Sequence, residues 1–215
     1  MMERRIFQSR KRYLLAFLIG TFVFLLVFWL SYSVSYLEFQ RVSGLQGVLA
    51  YDIFSHKLDY SLFDKGVCED ESFEKVSRDL NFQGRIIDDL EKKLGKGDED
   101  VLFRKKFYVL IELEHFEFVK FLNQKCEFSI QTILFFYSNE NKDAEDSEKL
   151  GRLLSTVSQR NLNLMIYSFD INLDSDLVNK LEEKYGVVHP QTLVINDKFI
   201  VLNPKNISEI ERHLS

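Results

Sequence analysis

Three sets of residues in this chain are of types that do chemistry. Cys68 and Cys126 are its two cysteines, and they could form one disulfide, stand as two buried thiols, or act as a redox pair. Redox work needs a thiolate stabilised by a nearby cation or a CxxC partner, and neither cysteine has one close in sequence. Glu112 and His115 show the Glu-x-x-His spacing that supplies ligands in di-iron helix bundles. Such sites use the motif twice with two further glutamates, and no second copy exists here; a half-exposed histidine among Glu112, Glu114 and Glu117 is the plainer expectation. His189 stands directly before Pro190, one of the chain's two prolines, ahead of the β-branched run Thr192-Leu193-Val194-Ile195. A proline in that place belongs at a strand's first residue. The cysteines and histidines match none of the usual zinc spacings, and no phosphate loop or nucleophile with its base is present. The expectation is no metal, no cofactor and no catalytic set.

The elements that position these residues begin with an apolar segment. From Tyr13 to Leu37 there is no charged residue, and about 25 residues at ~1.5 Å each reach ~37 Å, enough for a ~30 Å hydrocarbon core with tilt. Glu3 stands against Arg4, Arg5, Arg10, Lys11 and Arg12, so the net charge of −5 divides into +4 on residues 1–12 and −9 on the remainder. Basic residues before the span and Glu38 after it place the N-terminus in the cytoplasm and the rest outside. Ser33-Val34-Ser35 also offers a signal-peptide cleavage site, although the apolar run exceeds the ~7 to 15 residues of a signal h-region. An acidic body of this kind repels nucleic acid; the lipid bilayer is the first expected partner. With 215 residues and 46% hydrophobic content, one or two domains with a real core follow.

After the membrane, Phe39, Val42, Leu45, Val48, Leu49 and Ile53 recur at helical spacing and suggest a stalk. A turn-rich segment, Asp59 to Asp70, breaks the pattern. Phe73, Val76, Leu80, Ile87, Leu90 and Leu94 then mark a helix stopped by Gly95-Lys96-Gly97. Asp98 or Asp100 caps the next, whose face runs through Val101, Tyr108, Ile111, Phe118 and Leu122, widened by Phe103, Phe107, Leu110 and Phe121. A short glycine connection between helices of matched length predicts an antiparallel pair. That pairing brings Cys68, before the first helix, to Cys126, after the second. Outside the cytoplasm a bridge between them would close a loop of nearly 60 residues and stabilise by roughly 4 kcal/mol. The heptad-like spacing from Phe73 to Leu94 also suits a coiled coil between protomers, so homo-oligomerisation stays open.

Residues 129–215 read as strand (Ile130 to Tyr137), helix (Leu150, Leu153, Leu154, Val157), strand (Asn163 to Phe169), helix (Leu177 to Tyr185), then a hairpin of two strands turning at Asn196-Asp197, and a short last helix. Asn206-Ile207-Ser208 opens that helix either as a cap, with Glu209 three residues on, or as a glycosylation acceptor. The order, together with Glu182-Glu183-Lys184-Tyr185-Gly186-Val187 and His189-Pro190-Gln191-Thr192-Leu193-Val194-Ile195, resembles the thioredoxin-like superfamily. Gln191 lengthens the usual Pro-Thr-Leu by one residue. The resemblance implies an α/β fold with a central mixed sheet, and a peptide-binding edge at His189 and Pro190, where the residue before the family's cis-proline pairs with an extended polypeptide. The family's redox members keep CxxC at the end of the first strand. Here that place reads Tyr137-Ser138-Asn139-Glu140-Asn141-Lys142-Asp143, with no sulfur and with acidic groups that disfavour a thiolate.

The chain is therefore expected to hold a basic cytoplasmic tail (1–12), a transmembrane helix (13–37), a stalk and helical hairpin (38–128) and a thioredoxin-like domain (129–215). It reads as an anchored, redox-inactive module that binds another polypeptide. A scaffolding role through the hairpin, and an atypical oxidoreductase using Cys68 and Cys126, are the alternatives.

Overall fold

A computed structural model describes residues 12–34, 72–126 and 128–214, with residues 36, 47, 48, 50, 51, 54, 55 and 68 between them. The chain divides into two units, Met1–Leu45 and Gln46–Ser215. In the first, α1 (Arg12–Val34) is a 23-residue helix of mean hydropathy 2.5, long and apolar enough to cross a membrane. Two of its hydroxyls pair with the helix's own carbonyls: Thr21 donates to Phe17 O and Ser33 to Trp29 O, both at 2.9 Å, the i−4 back-bonding open to Ser and Thr inside a helix. The stalk and the turn-rich segment expected between Phe39 and Asp70 fall almost entirely outside the described residues.

The second unit holds the helical hairpin and the sheet. Helix α2 (Ser72–Leu94) buries Val76, Ser77, Leu80, Gln83 and Ile87, one stripe at helical spacing. Gly95, at φ 100°, turns the chain towards α3 (Glu99–Lys125), which Asp98 caps by accepting from the N–H groups of Asp100 and Val101. α2 and α3 pack as the antiparallel pair that the glycine turn implies.

Four strands follow in the sheet order β2-β1-β3-β4: β1 (Gln131–Tyr137), β2 (Leu164–Asp170), β3 (Thr192–Ile195) and β4 (Phe199–Leu202). β1 and β2 are parallel, joined through α4 (Asn141–Arg160), while β3 lies antiparallel to both β1 and β4. Side chains alternate across β1. Ile133 and Phe135 meet Leu150, Leu154, Val157 and Ile210 from α4 and α6 (Ile207–Glu211). Leu134 and Phe136 face Val109, Ile111 and Phe116 of α3 and Val178 and Leu181 of α5 (Asp176–Tyr185). The result is a sheet covered by helices on both faces, with the hairpin in the second layer. Gly186 ends α5 at φ 64°, so that Val187 N–H reaches Glu182 O, a Schellman closure only an unbranched backbone enters freely.

Two expectations are corrected. Pro190 is not the first residue of a strand: β3 begins at Thr192, because Gln191 enters the left-handed region at φ 60° and breaks the extended run. The described residues contain no cis peptide bond, so His189 and Pro190 are joined in trans. Phe103 does not widen the buried face of α3; it is 71% exposed, and Arg104 and Lys105 are buried instead.

Candidate functional site

Cys68 and Cys126 are bonded to each other, with Cα atoms 5.3 Å apart. Cys126 is the C-cap of α3, its N–H bonded to Leu122 O. The pair closes the open end of the hairpin as its antiparallel geometry requires.

Where β1 runs into α4, polar side chains are knotted together. Ser147, nearly two helical turns inside α4, accepts from the N–H of Ser138 at 3.1 Å and from Nε2 of Gln191 at 2.7 Å. Gln191 Nε2 also reaches Asp143 O at 3.2 Å. Ser138 Oγ donates to Asn172 Oδ1 at 2.6 Å and accepts from Glu140 N–H at 3.1 Å, while Asn172 Nδ2 returns to Glu140 Oε1 at 3.0 Å. The residue that lengthens the Pro-Thr-Leu stretch thus anchors the loop before β3 to α4. His189 is exposed and Pro190 half-buried; the His189 carbonyl accepts from Thr192 Oγ1 at 2.7 Å, and its N–H has no partner among the described residues. These two residues therefore sit beside the β1–α4 junction, connected to it through Gln191.

Deeper at the same end of the sheet lies a buried ion cluster. Lys105 Nζ of α3 meets Asp170 Oδ2 at 2.6 Å and Glu91 Oε1 at 2.8 Å, and Asn139 Nδ2 donates to Asp170 Oδ2 at 2.9 Å. Burial works to lower the lysine's pKa, but Tyr137, Asp170 and Glu91 outweigh it and hold the ammonium above its ordinary range. The two carboxylates at 2.6 and 2.8 Å thus favour the charged form of Lys105. Burial likewise raises the Tyr137 phenol, against the opposing pull of Lys105.

Glu112 and His115, expected at a half-exposed surface, are 2% and 0% exposed, because α3 is walled by α2 and by the sheet. Glu112 Oε1 accepts from the Ser168 N–H at 2.9 Å, while Oε2 is buried without a partner. Burial raises its carboxyl well above the ordinary range, only partly offset by the Ser168 bond and Lys105. His115 is pushed down to about 4 by burial. Its tautomer follows from its neighbours: Ser77 Oγ spends its proton on Phe73 O at 2.8 Å, so it accepts from Nε2–H at 3.0 Å, and Nδ1 accepts from the Tyr167 hydroxyl at 2.8 Å. The two residues of the Glu-x-x-His spacing are thus committed to different partners, and no group of three His, Cys, Asp or Glu side chains among the described residues is placed to hold a metal.

No known protein family, characterised protein or solved structure matches the chain.

Sequence reasoning missed the ion cluster, Ser147 and the burial of Glu112. The available signal was in α3: Arg104, Lys105, Glu112 and His115 fall on the same helical stripe as Val101, Val109, Phe116 and Val119. The apolar residues that ring this helix hide that stripe.

Proposed function

We propose that the chain is a single-pass membrane protein whose acidic body lies outside the cytoplasm and carries a thioredoxin-like domain that binds polypeptide without redox chemistry. In this reading it is an assembly factor or chaperone-like module. The observation that carries it is the β1–α4 junction. The place where the family's oxidoreductases hold two sulfurs is filled by the Ser138, Ser147, Asn172 and Gln191 network, and both cysteines are spent on one bond elsewhere. The parallel β1–β2 half and antiparallel β3–β4 half support the family reading, and the basic residues before α1 support the orientation. His189, with its exposed ring and N–H, and Pro190 are the peptide-contacting pair.

The test uses the full chain in detergent and a permanently unfolded, carboxymethylated polypeptide carrying a fluorophore. Saturable binding weakened by His189→Asp is expected, with no reduction of insulin disulfides. Unchanged binding in His189→Asp would remove the assigned edge. Insulin reduction lost in Cys68→Ser would replace the reading with the oxidoreductase one.

A second reading has one observation in its favour. Phe82 and Phe103 lie exposed on the hairpin, as a scaffolding face would have them. Phe82→Ser with Phe103→Ser would then disrupt assembly in membranes and leave polypeptide binding intact.

A further inference from the structure

Among the described residues, strand β2 is an edge of the sheet. Its odd-numbered neighbours turn their main chain towards β1: Gln131 N–H donates to Asn163 O at 2.8 Å, and Ile171 N–H donates to Tyr137 O at 2.9 Å. The even-numbered residues between them therefore turn theirs away. Leu164 N–H is taken by Asn161 O at 3.1 Å, and Ser168 N–H by Glu112 Oε1. The N–H and C=O of Ile166 and the C=O of Ser168 have no partner among the described residues, and both residues are only half-buried.

Beside this edge runs a cleft of about 950 Å³ between α2 and α4, at the upper end of the ~300 to 1,000 Å³ usual for ligand sites. Gly84 and Arg85 belong to one wall, Gly151 and Ser155 to the other, and Ile166 and Ser168 to the floor. The two glycines differ in what packing asks of them. A Cβ on Gly84 would come 2.7 Å from the Tyr108 hydroxyl oxygen, so a side chain there would have to displace the tyrosine. A Cβ on Gly151 would meet only Phe135 Cε1, at 4.0 Å. Packing leaves room for a side chain at 151, and glycine inside a helix is destabilising relative to alanine. What its absence secures is an open wall.

The charges on α2 point the same way. Arg78 is paired with Glu74 and Lys92 with Asp88, whereas Arg85 lies 5.7 Å from the Phe82 ring centroid and has no carboxylate partner among the described residues. We infer that the cleft beside β2 is a docking site for an extended polypeptide segment of a partner protein, which adds to the sheet as a fifth strand against Ile166 and Ser168 and offers an acidic side chain to Arg85. The donor and acceptor of Ile166 and the acceptor of Ser168, two residues on, are main-chain groups of the kind another extended backbone matches, while the Ser168 donor stays with Glu112. The flanking helices recess the edge, so that a single strand can enter where another folded sheet would be held off. This site is separate from His189 and Pro190 and does not depend on their role.

The experiment measures binding of a fluorescein-labelled heptapeptide of alternating valine and threonine with a glutamate at each end, using the full chain in detergent. A second probe is the same peptide N-methylated at alternate amides, which cannot complete a ladder. Saturable binding of the plain peptide is expected, with the N-methylated peptide weaker by at least about tenfold. Gly151→Gln, a good helix former that fills the cleft, should weaken plain-peptide binding by a similar factor, while Gly151→Ala leaves it unchanged. Far-ultraviolet circular dichroism and the thermal midpoint of both variants serve as the folding control. Equal binding of the two peptides, undiminished binding by folded Gly151→Gln, or no saturation up to about 1 mM would each overturn the inference. So would binding lost in His189→Asp yet kept in Gly151→Gln, or a peptide-free dimer that Gly151→Gln dissociates, which would make a second copy the occupant.

Discussion

Glu112 binds the Ser168 N–H through one carboxyl oxygen at 2.9 Å and leaves the other buried with no partner. A helix side chain thus closes one of the outward main-chain groups of the edge strand. This geometry suits a neutral carboxyl, since an ion would be stranded away from water.

The consequence for stability has a definite sign. The folded pKa of Glu112 lies above its unfolded value, so the fold keeps a proton that the unfolded chain releases. Its contribution is fully present below about pH 4.5 and is lost as pH rises through the folded pKa. Glu112→Gln should raise the urea midpoint at pH 7 to 8 and make no difference near pH 4. Glu112→Leu removes the Ser168 acceptor and should cost about 1 to 3 kcal/mol.

His115 works in the opposite direction. Its folded pKa of about 4 lies below the unfolded 6.5, so stability is full above pH 6.5 and falls as pH drops towards 4. The loss from this residue is about 3 kcal/mol. Urea melts at pH 7 and pH 4 should show that difference shrinking in His115→Gln, which cannot take up the proton.

Removing the cation of the buried cluster should be costly. Lys105→Met leaves Asp170 and Glu91 facing each other with no compensating charge, for a loss of about 3 to 5 kcal/mol. Adding Asp170→Asn should restore part of it, and a double-mutant cycle on the urea midpoints measures the coupling.

Cleaving the bridge acts mainly on the unfolded chain. The 58-residue separation of Cys68 and Cys126 gives a loss of roughly 4 kcal/mol on reduction. Cys126→Ser should show the same loss in a urea melt and no further change on adding reductant.

The elements after Ile130 are legible in the sequence because each carries its own punctuation. Gly186 stops α5, Asn196 and Asp197 both take positive φ at the hairpin turn, and Asn206 caps α6 by accepting from Glu209 N–H. The disulfide was legible too, since two helices around a glycine turn bring their far ends together. What could not be read are the polar contacts made across the fold. Lys105 and Asp170 are 65 residues apart, and Gln191 and Ser147 are 44 apart; nothing local marks either pair. Burial of charge on α3 depends on its being walled on several sides, a tertiary fact that outweighs the ordinary preference of charged groups for water.

The bond between Cys68 and Cys126 also sets how the molecule carries load. Tension arriving along the chain from residues before Cys68 passes through the sulfur bridge to Cys126 and on to β1, so the two hairpin helices lie in a side loop that feels none of it. Reduced, the same pull would peel α2 from α3 and pay out as much as ~200 Å of slack chain. Oxidation keeps the covalent path from Cys68 to β1 short; reduction lengthens it by the whole hairpin.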